Sequence, residues 1–145
     1  MMVERIEAFL NNHTICVLAT VRDNIPHCSL MAYIVDERCR IVYMVTPRDT
    51  NKYQNILKNP HVSLLVDDRC EGDYPGQRAE HALTVHGTCH RVEDEATKQL
   101  VRERLAEKRP DMRDFIYEPQ SEVIAIDIHS FLFLNGVSDA HLVEV

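Results

Sequence analysis

Thr46, Arg48, Thr50 and Lys52 cluster between a β-branched run and a helical pattern. The run Ile41–Thr46 ends in a hydroxyl, and a polar turn, Pro47-Arg48-Asp49-Thr50-Asn51, leads to Lys52. This combination suits a phosphate. The first N–H groups of a helix lack intrahelical acceptors, and the helix dipole places partial positive charge beside them. A hydroxyl adds a donor and an ammonium adds a point charge. A lysine at a helix start is otherwise opposed by the dipole, so an anion would give it a reason to be there. Asn59-Pro60 stops the helix, and the apolar run His61–Asp67 follows. The stretch Ile41–Asp67 therefore points to a phosphorylated ligand.

Other chemistries find less support. His86 and His90 share one strand face, yet four residues of strand separate them by roughly 13 Å, too far for one metal ion. Cys89 points to the opposite face, and His27 and Cys28 split across a strand. A zinc site is not expected. One axial histidine suffices for haem, and His141 in the tail is the candidate. Neither G-x-S-x-G nor G-x-G-x-x-G occurs in a chain with four glycines, which argues against a nucleophile elbow, a Rossmann domain and a P-loop. The pair Asp67-Asp68 reads as a strand-end turn.

The elements that must position these residues are mostly strands. The 145 residues suit one domain over 1–145, large enough for a core without staples. Val3–Asn11 carries Val3, Ile6, Phe9 and Leu10 at helical spacing. Strands are expected over Thr14–Val21, Pro26–Val35 and Arg40–Thr46, joined by the turns Arg22-Asp23-Asn24 and Asp36-Glu37-Arg38 as an antiparallel meander. Helix Asn51–Lys58 crosses to strand His61–Asp67, and Asp68–Glu80 reads as an exposed loop. Strand Ala82–Val92 contains Gly87, which signals a bulge or a close backbone approach. Glu93–Lys108 is helical, with Ala96, Leu100, Val101 and Leu105 on one face. Ser121–Leu134 is a long apolar strand, and Ala140–Val145 a short one. On the long strand, Ile124, Ile126 and Ile128 point one way, while Val123, Ala125, Phe131 and Phe133 are assigned to the other. The expected fold is mainly β with peripheral helices: a six- to seven-stranded antiparallel barrel whose outer face needs covering by helices or by a second copy in a homodimer.

A net charge of -7 argues against a nucleic-acid or anionic-membrane binder. No run approaches the roughly 20 apolar residues of a membrane span, and the N-terminus lacks the pattern of a signal peptide. Five scattered cysteines, Cys16, Cys28, Cys39, Cys70 and Cys89, show no C-x-x-C spacing. They read as reduced and structural, and the compartment as cytoplasmic.

The order of these elements resembles the pyridoxamine 5′-phosphate oxidase-like flavin-binding split barrels. The likeness is carried by ICVLATVRDNIPHCSLMAYIVD, then IVYMVTPRDTNKYQNILKNPHVSLLV, then LTVHGTCHRVED, and covers about residues 3–135. The resemblance implies FMN bound between two subunits. It places Thr46, with Val45 before it, at the pyrimidine or ribityl region. It matches the family's Ser-Arg-Lys at the phosphate with Thr50-Asn51-Lys52, so Asn51 replaces an arginine, and Arg48 is the candidate to restore the charge. It sets His27, Ser29, Leu30 and Met31 beside the isoalloxazine ring. The family's flavin-contacting Gln falls at Ala82, leaving Thr84 as the substitute.

The true oxidases end with a Trp and an Arg-Leu-x-Pro segment that hold the vitamin substrate. This chain has no Trp and ends LNGVSDAHLVEV, so pyridoxamine phosphate oxidation is not expected. The ending is more similar to the small, poorly characterised members and the haem-utilisation branch. The leading expectation is an FMN-dependent oxidoreductase with an unknown small-molecule substrate and no assigned catalytic side chain. The rivals are a non-catalytic flavin- or haem-binding protein and a cofactor-free structural dimer.

Overall fold

A computed structural model describes residues 1–69, 80–136 and 138–145. Helix α1 spans Met2–Asn11. Strands β1 (Ile15–Arg22), β2 (Ile25–Ala32), β3 (Ile34–Val35) and β4 (Ile41–Pro47) follow. Helix α2 (Asn51–Lys58) leads to β5 (His61–Asp67) and β6 (His81–Arg91). Helix α3 (Glu95–Lys108), a 3-10 turn (Pro110–Met112) and α4 (Arg113–Ile116) precede β7 (Ser121–Asn135) and β8 (Ala140–Glu144). The expected loop Asp68–Glu80 lies outside the described residues except at its ends, as does Cys70.

All strands pair antiparallel in the order β2-β1-β5-β6-β7-β4-β3, with β8 on β7. The first and last strands of that order, β2 and β3, are separated in sequence only by Tyr33. The sheet must therefore curl until its two ends meet, and it closes through the chain itself. This is a split barrel. The expected meander is correspondingly corrected. The segment Pro26–Val35 divides at Tyr33, and its first part pairs β1 while its second pairs β4.

The barrel interior holds Leu18, Met44, Leu64, Leu83, Val85, Ile124, Ile126, Phe131 and Phe133. Ile6 and Leu10 of α1 plug one end, where the Tyr33 hydroxyl donates to the Leu10 carbonyl at 2.6 Å. A second core lies outside the barrel. There Val101, Leu105 and Ala106 of α3 and Ile116 of α4 cover Val45, Val123 and Ala125. Helix α3 starts two residues later than expected because Asp94 caps it, accepting from the Thr97 N–H at 2.9 Å. Leu100 is 53% exposed, so the buried stripe of α3 is Val101, Leu105 and Ala106 rather than the expected face.

The face assignment on β7 also changes. Phe131 and Phe133 share the interior with Ile124, Ile126 and Ile128, although the two sets differ in parity. The cause is a bulge: His86 pairs Ser130 while Gly87 pairs Ile128, which leaves His129 as an extra residue. One inserted residue moves every later side chain to the other face. Gly87 is required there. A Cβ at Gly87 would lie 2.5 Å from the Asp127 carbonyl oxygen and 2.7 Å from a methyl of Ile126. Among the described cysteines, Cys16, Cys39 and Cys89 are buried, but Cys28 is exposed on β2, which has only one neighbour. No helix among the described residues is long and apolar enough to cross a membrane.

Gly87→Ala is expected to lower stability by about 1–3 kcal/mol, the usual cost of overpacking. Urea unfolding with an unchanged midpoint would contradict this close approach.

Candidate functional site

Helix α2 begins where β4 runs out. Thr50 is its N-cap, in extended conformation, with its hydroxyl accepting from the Tyr53 N–H at 3.3 Å. The same hydroxyl donates to the Pro47 carbonyl at 2.9 Å and lies 3.4 Å from the Thr46 hydroxyl, which is fully buried. The turn thus satisfies its own polar groups and sets the direction in which the helix starts. Thr50 serves the cap, and its proton is directed at Pro47.

Lys52 stands in the first turn of α2 and is half-buried. Burial lowers its pKa, and no described carboxylate forms an ion pair with it. A partly desolvated ammonium without a counter-charge is costly, and an anion would relieve it. Arg48 is turned elsewhere. Its guanidinium donates to the Pro119 carbonyl at 3.3 Å and lies 3.6 Å from Glu122. Asn51 is exposed.

The helix is fixed against β1 by one buried bond. The Asn55 side-chain amide donates to the Thr20 hydroxyl at 3.1 Å, and both residues are buried. Between α2 and the β1–β2 hairpin runs a groove of about 260 Å³, lined by residues including Arg22, His27, Asn51 and Asn55. His27 pairs with Thr20 across the hairpin. The groove therefore unites His27 and Asn51, two of the expected site residues, from separate elements.

The remaining candidates are spread along the strands. Ser29 is half-buried and pairs Leu18, Met31 is buried and pairs Cys16, and Leu30 between them is 74% exposed. Val45 packs into the core beneath α3, on the face opposite Thr46. Thr84 is half-buried between Leu65 of β5 and Leu132 of β7 and does not line the α2 groove. His141 is on β8 with its Nε2 3.0 Å from Asp139.

A second depression, of about 330 Å³, opens on the outer face of β1, β5 and β6 and is lined in part by His61, His86 and His129. His86 Nδ1 is 2.9 Å from the Ser63 hydroxyl, and His129 Nε2 is 2.9 Å from the Thr88 hydroxyl. His90 approaches Asp127 at 3.2 Å. Among the described residues no three His, Cys, Asp or Glu side chains converge as a metal site.

Helical and strand periodicity missed two features. Thr20 and Asn55 read as ordinary strand and helix positions, and only their pairing reveals the lock. Asp68 was expected in a plain turn but closes the β5–β6 connection. It accepts from the His81 backbone N–H at 2.8 Å and from His81 Nδ1 at 2.6 Å. The His81 ring stacks on Phe133, with centroids 5.9 Å apart. No spacing rule joins positions 68 and 81.

The sequence matches the family described as pyridoxamine 5′-phosphate oxidase over residues 2–135. The chain belongs to that family. Its curated relative General stress protein 26 of Bacillus subtilis (strain 168) is 35% identical over 63 residues, which is 43% of this chain and 44% of that protein. The match thus spans less than half of that relative's length. Among solved structures, an FAD-binding protein from Mesorhizobium loti superposes with a TM-score of 0.72 at 18% identity, covering 92% of this chain and 94% of the other. HutZ, the haem storage protein from Vibrio cholerae, superposes with a TM-score of 0.73 at 17% identity, covering 91% and 92%. At such identities these two likenesses establish the fold.

Burial would raise the Asp68 carboxyl, but the His81 backbone and ring hydrogen bonds outweigh it and hold the group below the usual carboxylate range. The stabilisation from this shift is present above the unfolded value of about 4 and is lost as pH falls through the lower folded value. Asp68→Asn should cost about 1–3 kcal/mol at pH 7, and less below about pH 4, where the wild-type carboxylate is also being protonated. Urea titrations at both pH values check this; an equal gap at both would show that the carboxylate charge is not involved.

Proposed function

We propose that this family member binds FMN, with the phosphate at the start of α2, and acts as an oxidoreductase in the cytoplasm. The observation that carries this reading is Lys52: a half-buried ammonium without a described counter-charge, in the first turn of a Thr-capped helix. The N–H groups of Asn51 and Lys52 are among those that a helix cannot satisfy internally. The capped turn holds both in place before any ligand arrives, so little ordering is needed on binding. This residue set fits a phosphate monoester.

When bound, FMN supplies hydride or electron transfer at its ring. The chain's own part is binding, orientation and exclusion of water. Lys52 neutralises phosphate charge. The Thr20–Asn55 bond keeps α2 at a fixed distance from the strand. His27 and Ser29 share one face of β2 and present polar groups there for a flat ring. Thr46 supports the other side from the end of β4, where its hydroxyl lies 3.4 Å from that of Thr50. The outer side of the site is completed by a second copy of the chain. Leu30 on β2 and Leu142 on β8 are 74% and 63% exposed, and dimerisation would cover such surface. Arg48 is left out of the site, because Glu122 and Pro119 hold it.

The purified protein is expected to show flavin absorption, or to quench added FMN fluorescence and gain thermal stability. Lys52→Ala should weaken FMN binding about 10- to 100-fold, since a hydrogen bond to a charged group is worth about 1.5–3 kcal/mol. Riboflavin, which lacks the phosphate, should be nearly unaffected. A colourless protein indifferent to FMN would sink the flavin reading, and a Soret band would replace it with haem. Light scattering tests the dimer independently; a monomer at micromolar concentration would remove the second copy from the site.

A further inference from the structure

We propose that Arg22, at the end of β1, is the second cation of the phosphate site, replacing the arginine that position 51 lacks. The inference rests on the FMN reading above and names a residue which that reading does not include.

The argument is one of register. Thr20 and Arg22 are two apart on β1 and share a face. Thr20 is tied to Asn55 of α2, and Asn51 lies one helical turn before Asn55. Two strand residues advance about 6.6 Å, and four helical residues about 6 Å. The steps match, and because Arg22 lines one groove with Asn51 and Asn55, α2 runs against β1 and Arg22 comes opposite Asn51. Both side chains line the same groove of about 260 Å³, together with His27. A cation missing from the helix is offset by a cation on the strand facing it.

Arg22 is also placed and available. It pairs with Ile25 across a two-residue turn, Asp23-Asn24, whose φ values of 52° and 62° are those of a tight hairpin turn. That turn holds Arg22 inside the ladder rather than in a loose connection. Its ion-pair partner among the described residues is Asp23, at 3.9 Å, where both side chains are substantially exposed. Such a contact is weak and gives way easily to a phosphate, which an arginine can meet through two parallel N–H groups. Arg48, by contrast, is engaged with Glu122 and Pro119. Asp23 lines the same groove and opposes an anion there, which gives the site a second charge that can be tested.

The test is a set of FMN and riboflavin titrations on the full chain, read by flavin fluorescence. Arg22→Gln should weaken FMN about 10-fold or more and leave riboflavin unchanged, while Arg48→Gln should have a smaller effect on FMN than Arg22→Gln. Adding Asn51→Arg to Arg22→Gln should recover FMN affinity, because the charge returns from the opposite side of the groove. Asp23→Asn, which the turn tolerates, should tighten FMN and not riboflavin; it keeps Arg22 in place and decides the matter should Arg22→Gln fail to fold. Wild type that binds FMN, with Arg22→Gln binding equally well or Asp23→Asn leaving FMN unchanged, would overturn this inference and leave the FMN reading standing. Wild type that binds neither flavin would remove both.

Discussion

The corner at Tyr33 is the constraint on which the rest of the molecule depends. Strands β2 and β3 sit at opposite ends of the hydrogen-bonded order, yet one residue joins them. A flat sheet would need a long connection there, so the sheet curls. Curling creates an interior, and the alternation of each strand fills it with one face. Tyr33 is buried at the seam, where its N–H donates to the Thr14 carbonyl and its hydroxyl to Leu10. The same residue therefore turns the chain, closes the barrel and holds α1 over its end.

The seam also explains where a ligand can approach. Beyond the corner, most of β2 from Ile25 to Leu30 is exposed and pairs only with β1. Helix α2 approaches β1 from the other side through Asn55 and Thr20. A curled sheet that closes by chain continuity leaves a split, and the groove between α2 and the hairpin lies beside it. The bonds that orient α2, at Thr50 and at Asn55, are short-range and polar. Removing either would leave a buried group unpaired, at a cost of about 1–3 kcal/mol. The helix start is thus held more rigidly than its short length would predict.

Much of this was legible because the signals were local. The turn Pro47–Asn51 and the stop at Asn59-Pro60 each announce themselves in a few residues. Gly87 marked a close approach in a strand otherwise rich in side chains. What could not be read depended on partners. Phe131 and Phe133 were placed on the wrong face because the bulge at His129 is a property of two strands. Arg22 was assigned to a turn because its pairing with Ile25 needs positive φ at both Asp23 and Asn24. Arg48 had the right charge and sequence neighbourhood, but Glu122 enters from β7, which follows only after two further strands and the helices α2, α3 and α4.

A phosphate does not record which element supplies its cations. It responds to their number, distance and desolvation, and to the dipole of the helix it caps. A phosphate at the start of a helix can therefore be served by a cation on another element, provided that this element faces the helix at matching register. In this chain the Thr20–Asn55 bond sets that register, because it aligns a two-residue step on β1 with one turn of α2. Conservation of charge at a fixed sequence position is then too strict a criterion for function in this fold. The spatial criterion is the cation count around the start of α2, and under the proposed reading Arg22 adds to Lys52 there, where a position-by-position comparison counts only Lys52.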